Sequence, residues 1–331
     1  MAEPSNYFYF NKHIINIVIA LGIALITYKI PLKFFKKYNH IIFILAFVFQ
    51  LLVFTKLGLS LQGAKGWLYL GFTTIQPSEF FKLAFVIFFA GWMLRKKHIV
   101  SKLPGYVSFL CILGICSLVF LAIPDLGTLL VLVPLAFIMM WYGGGRLKHL
   151  IWILAICASI GLFVWLQFTY IKSRLESFVN PDKDKTGKGI SYQINQSLIA
   201  VGAGGIFGKG YGKGLQKFGY IPEAQSDFIF AAFSEEIWFI GNMVLLSLYF
   251  FLAYKFIKRL PDIKDEYAKN LWAGVISLII VQMFVNIGVN IKLLPLTGLT
   301  LPFISAGWSA LMVNVIELVL LYKIAYKQER I

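Results

Sequence analysis

Residues 104–142 read PGYVSFLCILGICSLVFLAIPDLGTLLVLVPLAFIMMWY, with a single charged side chain, Asp125. The stretch is two apolar runs hinged at Pro124-Asp125. A helix crossing the hydrocarbon core of a bilayer needs about 20 mostly apolar residues, and each half comes close to that length. Inside hydrocarbon the backbone must satisfy its own polar groups, so such runs are read as helices. Working outward, the pattern recurs near 14–32, 41–58, 77–94, 149–169, 228–255, 270–291 and 305–325. The expected fold is an all-α integral membrane bundle of about nine transmembrane helices. It forms one domain over 1–331, with a long extracytoplasmic loop over 170–227 before the seventh span.

Composition agrees. Of 331 residues, 59% are hydrophobic and 14% charged, against about a quarter charged in soluble domains. The net charge of +16 raises nucleic-acid binding, but the basic residues sit in short clusters between apolar runs and no reader motif is present. Lys33, Lys36 and Lys37; Arg95, Lys96, Lys97 and Lys102; Arg146 and Lys148; Lys255, Lys258, Arg259, Lys264 and Lys269; and Lys323, Lys327 and Arg330 mark every odd connection and the tail. The positive-inside rule places these in the cytoplasm, with the C-terminus inside and Met1 outside. Cys111, Cys116 and Cys157 lie in apolar runs without CxxC spacing, and His13, His40, His98 and His149 are scattered. Neither a disulfide framework nor a metal site is suggested.

The loop over 170–227 departs from this pattern. It opens with polar residues 180–185. It continues as an amphipathic stretch, Tyr192 to Val201, with Ile194, Leu198 and Val201 on one face and suited to the membrane interface. A glycine run from Gly202 to Gly214 follows. It is not a Walker A loop: Ala203 stands where a glycine is needed, and Gly210 replaces the magnesium-binding Ser or Thr. Close backbone approach to a lipid or a helix end is the better reading.

Ionisable groups inside spans are costly, so they point to function. Glu79 and Lys82 share a helix face three residues apart, after the helix start Gln76-Pro77-Ser78. They either neutralise each other or line a polar cavity. Asp125 is a helix cap or a functional acid. Glu317 lies deep in the last span near Asn314, and Asn286 and Asn290 share a face. The richest constellation runs from Pro222 through Glu223 and Asp227 to Ala231, then Glu235-Glu236. At the head of a span, Asp227 either serves the helix dipole or acts as a general base toward an attacking hydroxyl. Lys209, Lys213 and Lys217 would suit a pyrophosphate leaving group.

These segments resemble the SEDS (FtsW/RodA/SpoVE) family of shape, elongation, division and sporulation proteins over nearly the whole chain. The matching motifs are Gly63-Ala64-Lys65-Gly66-Trp67, Gln76-Pro77-Ser78-Glu79-Phe80-Phe81-Lys82-Leu83, Pro124-Asp125-Leu126-Gly127-Thr128, Gln196 through Gly208, Asp227-Phe228-Ile229-Phe230-Ala231 with Glu235-Glu236, and Gly298 through Ser305. The family normally has ten spans, and the match starts at its second. The resemblance implies a peptidoglycan glycosyltransferase that polymerises lipid II at the outer face of the bacterial cytoplasmic membrane. It makes Asp227 the catalytic base. Glu79, Lys82, Lys65, Trp67, Gln196, Glu223, Asp125 and Ser305 become substrate-binding or supporting residues. It implies no required cofactor and leaves a magnesium ion at the pyrophosphate open. The implied partners are undecaprenyl-pyrophosphate-linked glycan, a class B penicillin-binding protein, other division proteins and membrane lipid. Gln216-Lys217 and the Gly298–Ser305 motif lean toward the septal branch, with an elongation polymerase as runner-up. A lipid-linked precursor flippase and a non-catalytic scaffold are the competing classes. Departures are Gly66 for the usual arginine, Gln225 where histidine is common, and Trp308 at a glycine position where the family packs helices closely.

Overall fold

The computed structural model describes residues 8–61, 64–69, 71, 74–167, 178–179, 190–206 and 208–326. The apolar runs fold as helices α1 (Phe8–Lys29), α2 (Leu32–Leu51), α3 (Pro77–Arg95), α4 (Leu103–Ala122), α5 (Leu126–Tyr142) and α6 (Leu147–Gln167). Helix α7 (Ile190–Gly204) follows, then α8 (Ile229–Arg259), α9 (Glu266–Asn290) and α10 (Trp308–Tyr326). Among the described residues, six helices are long and apolar enough to cross a membrane. The shorter apolar segments Ile14–Lys29, Leu126–Tyr142 and Leu147–Ser159 fill the remaining expected spans.

Two expectations change. The second span was placed at 41–58, but α2 begins at Leu32 and takes in Lys33, Lys36 and Lys37. The helical geometry is interrupted at Tyr38 (φ −104°, ψ 16°), so Lys33, Lys36 and Lys37 lie on a short helical segment before this kink, and the segment after it starts close to the expected limit. The chain is also not purely helical. Gly58–Leu61 (β1), Ala64–Tyr69 (β2) and Thr74–Ile75 (β3) form an antiparallel sheet in the order β1-β2-β3. Strand alternation turns Leu68 inward onto Val53 and Ile123 and leaves Lys65 and Trp67 on the opposite face.

Helices α3 and α9 form the centre and the other spans surround them. Most of the apolar windows of α3 and α9 is buried, against about a third or less for α2, α4 and α8. Lipid is as apolar as a leucine side chain, so helices associate through close packing and polar contacts. Gly274 of α9 supplies the close approach: a Cβ there would come within 2.6 Å of Val86 and of Met139. Phe85, Phe89 and Trp92 stack along α3, with ring centroids 5.4 and 5.0 Å apart. At the lysine-rich end, Arg95 donates to Asn39 at 3.0 Å and Lys36 pairs with Asp265 at 2.9 Å. The opposite end carries the sheet, α7 and the starts of α3, α5, α8 and α10.

Helix α7 contains the amphipathic stretch. Rather than floating free, it packs on α8, where a Cβ on Gly204 would sit 2.2 Å from the Ser234 carbonyl oxygen. The Ser197 hydroxyl donates to the Asn290 carbonyl at 2.8 Å. The polar residues 180–185, Met1 and most of 168–189 fall outside the described residues.

Candidate active site

Asp227 lies in a turn just before α8 and is half-buried. Three consecutive carbonyls of this turn are each held by a distant element. Gln225 accepts from the Ala306 N–H at 2.9 Å, and Ser226 accepts from the Ser305 hydroxyl at 2.6 Å. Asp227 accepts from the Asn286 and Asn290 side-chain amides at 2.9 and 3.0 Å. The Asn290 amide oxygen accepts from the Ala231 N–H at 3.1 Å, which supplies one of the acceptors that the first turn of a helix lacks. Glu223 sits at φ +56° and closes the turn through its carbonyl to the Ser226 N–H at 3.1 Å. Its carboxylate accepts from the Ser226 hydroxyl at 3.2 Å. Glu223 thus shapes the turn.

The loop between α9 and α10 forms the wall beside Asp227. Gly298 has φ +71°, and a Cβ there would lie 3.5 Å from the Asp227 Oδ2. Asn286 also donates to the Leu299 carbonyl at 2.6 Å, and the Ser305 hydroxyl accepts from the Leu301 N–H at 2.7 Å. The PDLGT segment packs on the same loop, where a Cβ on Gly127 would lie 2.6 Å from the Thr297 carbonyl oxygen. Asp125 caps α5: its two oxygens accept from the Thr128 N–H at 2.9 Å and hydroxyl at 2.7 Å.

Beneath this wall runs a buried polar chain. Lys82 Nζ donates to Glu79 Oε1 at 2.8 Å and to Gln282 Oε1 at 2.7 Å. Gln282 Nε2 donates to the Thr300 carbonyl at 3.2 Å. Glu317 of α10 is 2% exposed and acts electrostatically on both Lys82 and Glu79. Contacts therefore run from the Glu79–Lys82 pair to the loop that flanks Asp227.

The glycine run meets α8, as close approach to a helix end requires. Glu235 accepts from the Leu215 and Gln216 N–H groups at 3.0 and 2.9 Å and from Lys209 Nζ at 2.6 Å. Glu236 accepts from the Gly212 N–H at 3.0 Å and pairs with Lys217 at 2.5 Å. A Cβ on Gly214 would fall 2.9 Å from Glu236. Lys209 and Lys217 thus pair with Glu235 and Glu236.

The remaining candidates lie apart from these contacts. Lys65 Nζ folds back to the Thr55 carbonyl at 3.4 Å. Trp67 pairs with Leu59 in the hairpin, and Gln196 is half-buried on α7. Among the described residues, no three His, Cys, Asp or Glu side chains gather as a metal-binding group. Sequence reasoning missed Gln282, and it placed Ser226, Gly298 and Thr300 in motifs without giving them a role of their own. Gln282 carried a readable signal, since Gln282, Asn286 and Asn290 repeat every four residues on one face of α9.

A ring of apolar helices around a buried ion pair, with a carboxylate turn clamped at one rim, defines a multi-pass membrane protein with a polar site at one end of its bundle. The chain belongs to the FtsW/RodA/SpoVE family of cell cycle proteins, whose model matches residues 1–330. It is 34% identical over 328 residues to the probable peptidoglycan glycosyltransferase FtsW of Coxiella burnetii, covering 98% of this chain and 88% of the relative. It is 40% identical over 266 residues to stage V sporulation protein E of Bacillus subtilis, covering 80% and 72%. Its fold matches a chain of a peptidoglycan synthase complex solved for the coordination of polymerization and crosslinking, with a TM-score of 0.79 at 22% identity, covering 98% and 92%. It also matches the rod shape determining protein RodA of Thermus thermophilus, with a TM-score of 0.66 at 22% identity, covering 96% and 88%.

Proposed function

We propose that this chain is a peptidoglycan glycosyltransferase that polymerises lipid II at the outer face of the bacterial cytoplasmic membrane, with Asp227 as its general base. The observation that carries the role of Asp227 is its clamped backbone. Four donors from α9 and the α9–α10 region hold the Gln225, Ser226 and Asp227 carbonyls, so the carboxylate is presented from a turn with little freedom. Positioning of this kind is what general-base catalysis requires. In this reading Asp227 takes the proton from the 4-hydroxyl of the GlcNAc of incoming lipid II. The oxygen attacks C1 of MurNAc on the growing strand, undecaprenyl pyrophosphate departs, and the anomeric centre inverts.

Glu79 and Lys82 support the wall of the site from below, Ser305 and Glu223 set the turn, and Asp125 fixes the start of α5. Lys65, Trp67 and Gln196 serve substrate binding. The proposal needs no resident cofactor; a magnesium ion would act on the leaving pyrophosphate. The whole chain, 1–331, acts as one membrane domain with its C-terminus in the cytoplasm. The name of the Coxiella relative favours septal wall synthesis over elongation. The likeness to a chain of a polymerising and crosslinking complex supports a class B penicillin-binding protein as partner.

The test is to purify the chain with its transpeptidase partner and supply labelled lipid II. A glycan ladder from the wild type that is lost in Asp227→Ala supports the reading. The buried Glu79–Lys82–Gln282 chain favours one second reading, a flippase. Absence of a ladder together with lipid II scrambling in liposomes would establish that alternative.

A further inference from the structure

The five residues Ser305–Ser309 join two parts of the molecule that are far apart in sequence. On one side, the Ser305 hydroxyl donates to the Ser226 carbonyl at 2.6 Å and the Ala306 N–H donates to the Gln225 carbonyl at 2.9 Å. On the other side, the Trp308 indole N–H donates to the Thr74 carbonyl at 2.5 Å. The Ser309 hydroxyl accepts from the Gln76 N–H at 3.2 Å. Thr74 belongs to β3 and pairs with Tyr69 of β2, the strand that carries Lys65 and Trp67. Gln76 immediately precedes α3, which carries Glu79 and Lys82. The turn itself is pressed inward, because a Cβ on Gly307 would lie 2.9 Å from the Thr300 methyl.

One short strap thus sets the register between the Asp227 turn and the outer sheet. A side chain whose ring packs at a helix start needs no hydrogen bond for packing alone. An indole, however, offers one donor and no acceptor, and here it is spent on the sheet. The Asp227 turn keeps its own bonds to Asn286 and Asn290, which do not involve Trp308.

We propose that Trp308 is a positioning residue for glycosyl transfer, whose indole N–H fixes the outer sheet against the Asp227 turn so that one lipid-linked sugar pyrophosphate spans both. The proposal rests on the transferase reading above. It separates two roles: the sheet side governs binding of the headgroup and the Asp227 side governs chemistry. Phenylalanine at 308 keeps a ring and loses the donor. The net worth of one hydrogen bond corresponds to about a two- to tenfold change in affinity.

Trp308→Phe is therefore expected to raise KM for lipid II about two- to tenfold while kcat stays within about twofold of wild type. Ser309→Ala should move KM in the same direction. Loss of folded protein alone would lower kcat and leave KM unchanged. A second measurement avoids turnover: labelled lipid II is titrated against Asp227→Ala and against Asp227→Ala with Trp308→Phe, and the Kd should rise by the same factor. A wild-type KM and Kd in the Trp308→Phe proteins overturn the proposal, whatever happens to kcat. A wild type that forms no ladder overturns the transferase reading instead, and the Kd titration then still decides whether Trp308 organises the binding surface.

Discussion

Asn286 and Asn290 both donate to the Asp227 carbonyl, so either one alone still holds that acceptor and only their joint removal takes away both of these bonds. Asn290 is fully buried. Its truncation to alanine strands the Ala231 N–H, whose acceptor is the Asn290 amide oxygen. A buried donor left unsatisfied costs about 1–3 kcal/mol, and the small void left behind adds to it. Asn290→Ala is thus expected to cost about 2–4 kcal/mol of stability. Asn286→Ala loses its bonds to Asp227 and Leu299 and should cost about 1–3 kcal/mol. The double variant removes both donors that share the Asp227 carbonyl, so the effects should exceed their sum by about 1–2 kcal/mol. Polymerisation should follow the same order, with a modest loss in each single variant and a further fall of about tenfold or more in the double variant, because each 1.4 kcal/mol of lost positioning is about tenfold in rate. The assay pairs thermal unfolding in detergent with initial rates on labelled lipid II, for wild type, both single variants and the double. Strict additivity in both readouts would refute the shared clamp on Asp227.

Lys82→Met removes the ammonium from Glu79 and Glu317 and should destabilise by about 3–5 kcal/mol, with Glu79→Gln in the same chain recovering part of the loss; detergent melting curves and yield report it. Gly127→Ala drives a methyl against the Thr297 carbonyl and should cost about 1–3 kcal/mol together with polymerase activity. Gly114→Ala on α4, which meets no atom within 4 Å, should leave both unchanged.

Much of the architecture was legible because hydrophobic runs and lysine clusters are local signals. Spans of α3 to α6 and α8 to α10 fall within a few residues of their expected limits. The second span starts at Leu32 rather than 41, about two and a half turns early, because a short helical segment with Lys33, Lys36 and Lys37 joins it across the kink at Tyr38 and lysines at a helix end look like loop in a sequence. The sheet was hidden in the short stretch from Gly58 to Ile75, where motif residues obscured the alternation. The pairing of Glu79 with Lys82 was readable from a spacing of three residues, since both groups lie on one helix.

Contacts between elements were not readable in this way. Asn286 and Asn290 were visible as a polar face, but nothing in their own helix names Asp227, 59 and 63 residues away, as their acceptor. Ser305 reaches Ser226 across 79 residues and Trp308 reaches Thr74 across 234. Likewise, nothing local to Lys209 and Lys217 names Glu235 and Glu236 as their partners. The sequence by itself determined that the chain forms a bundle of membrane helices, and it placed the candidate acids along them, because spans and motifs are set by neighbours a few residues apart. Only the tertiary structure decided which acid caps a helix, which holds a glycine loop and which is presented at the rim, because those roles depend on hydrogen-bond partners that chain folding alone brings together.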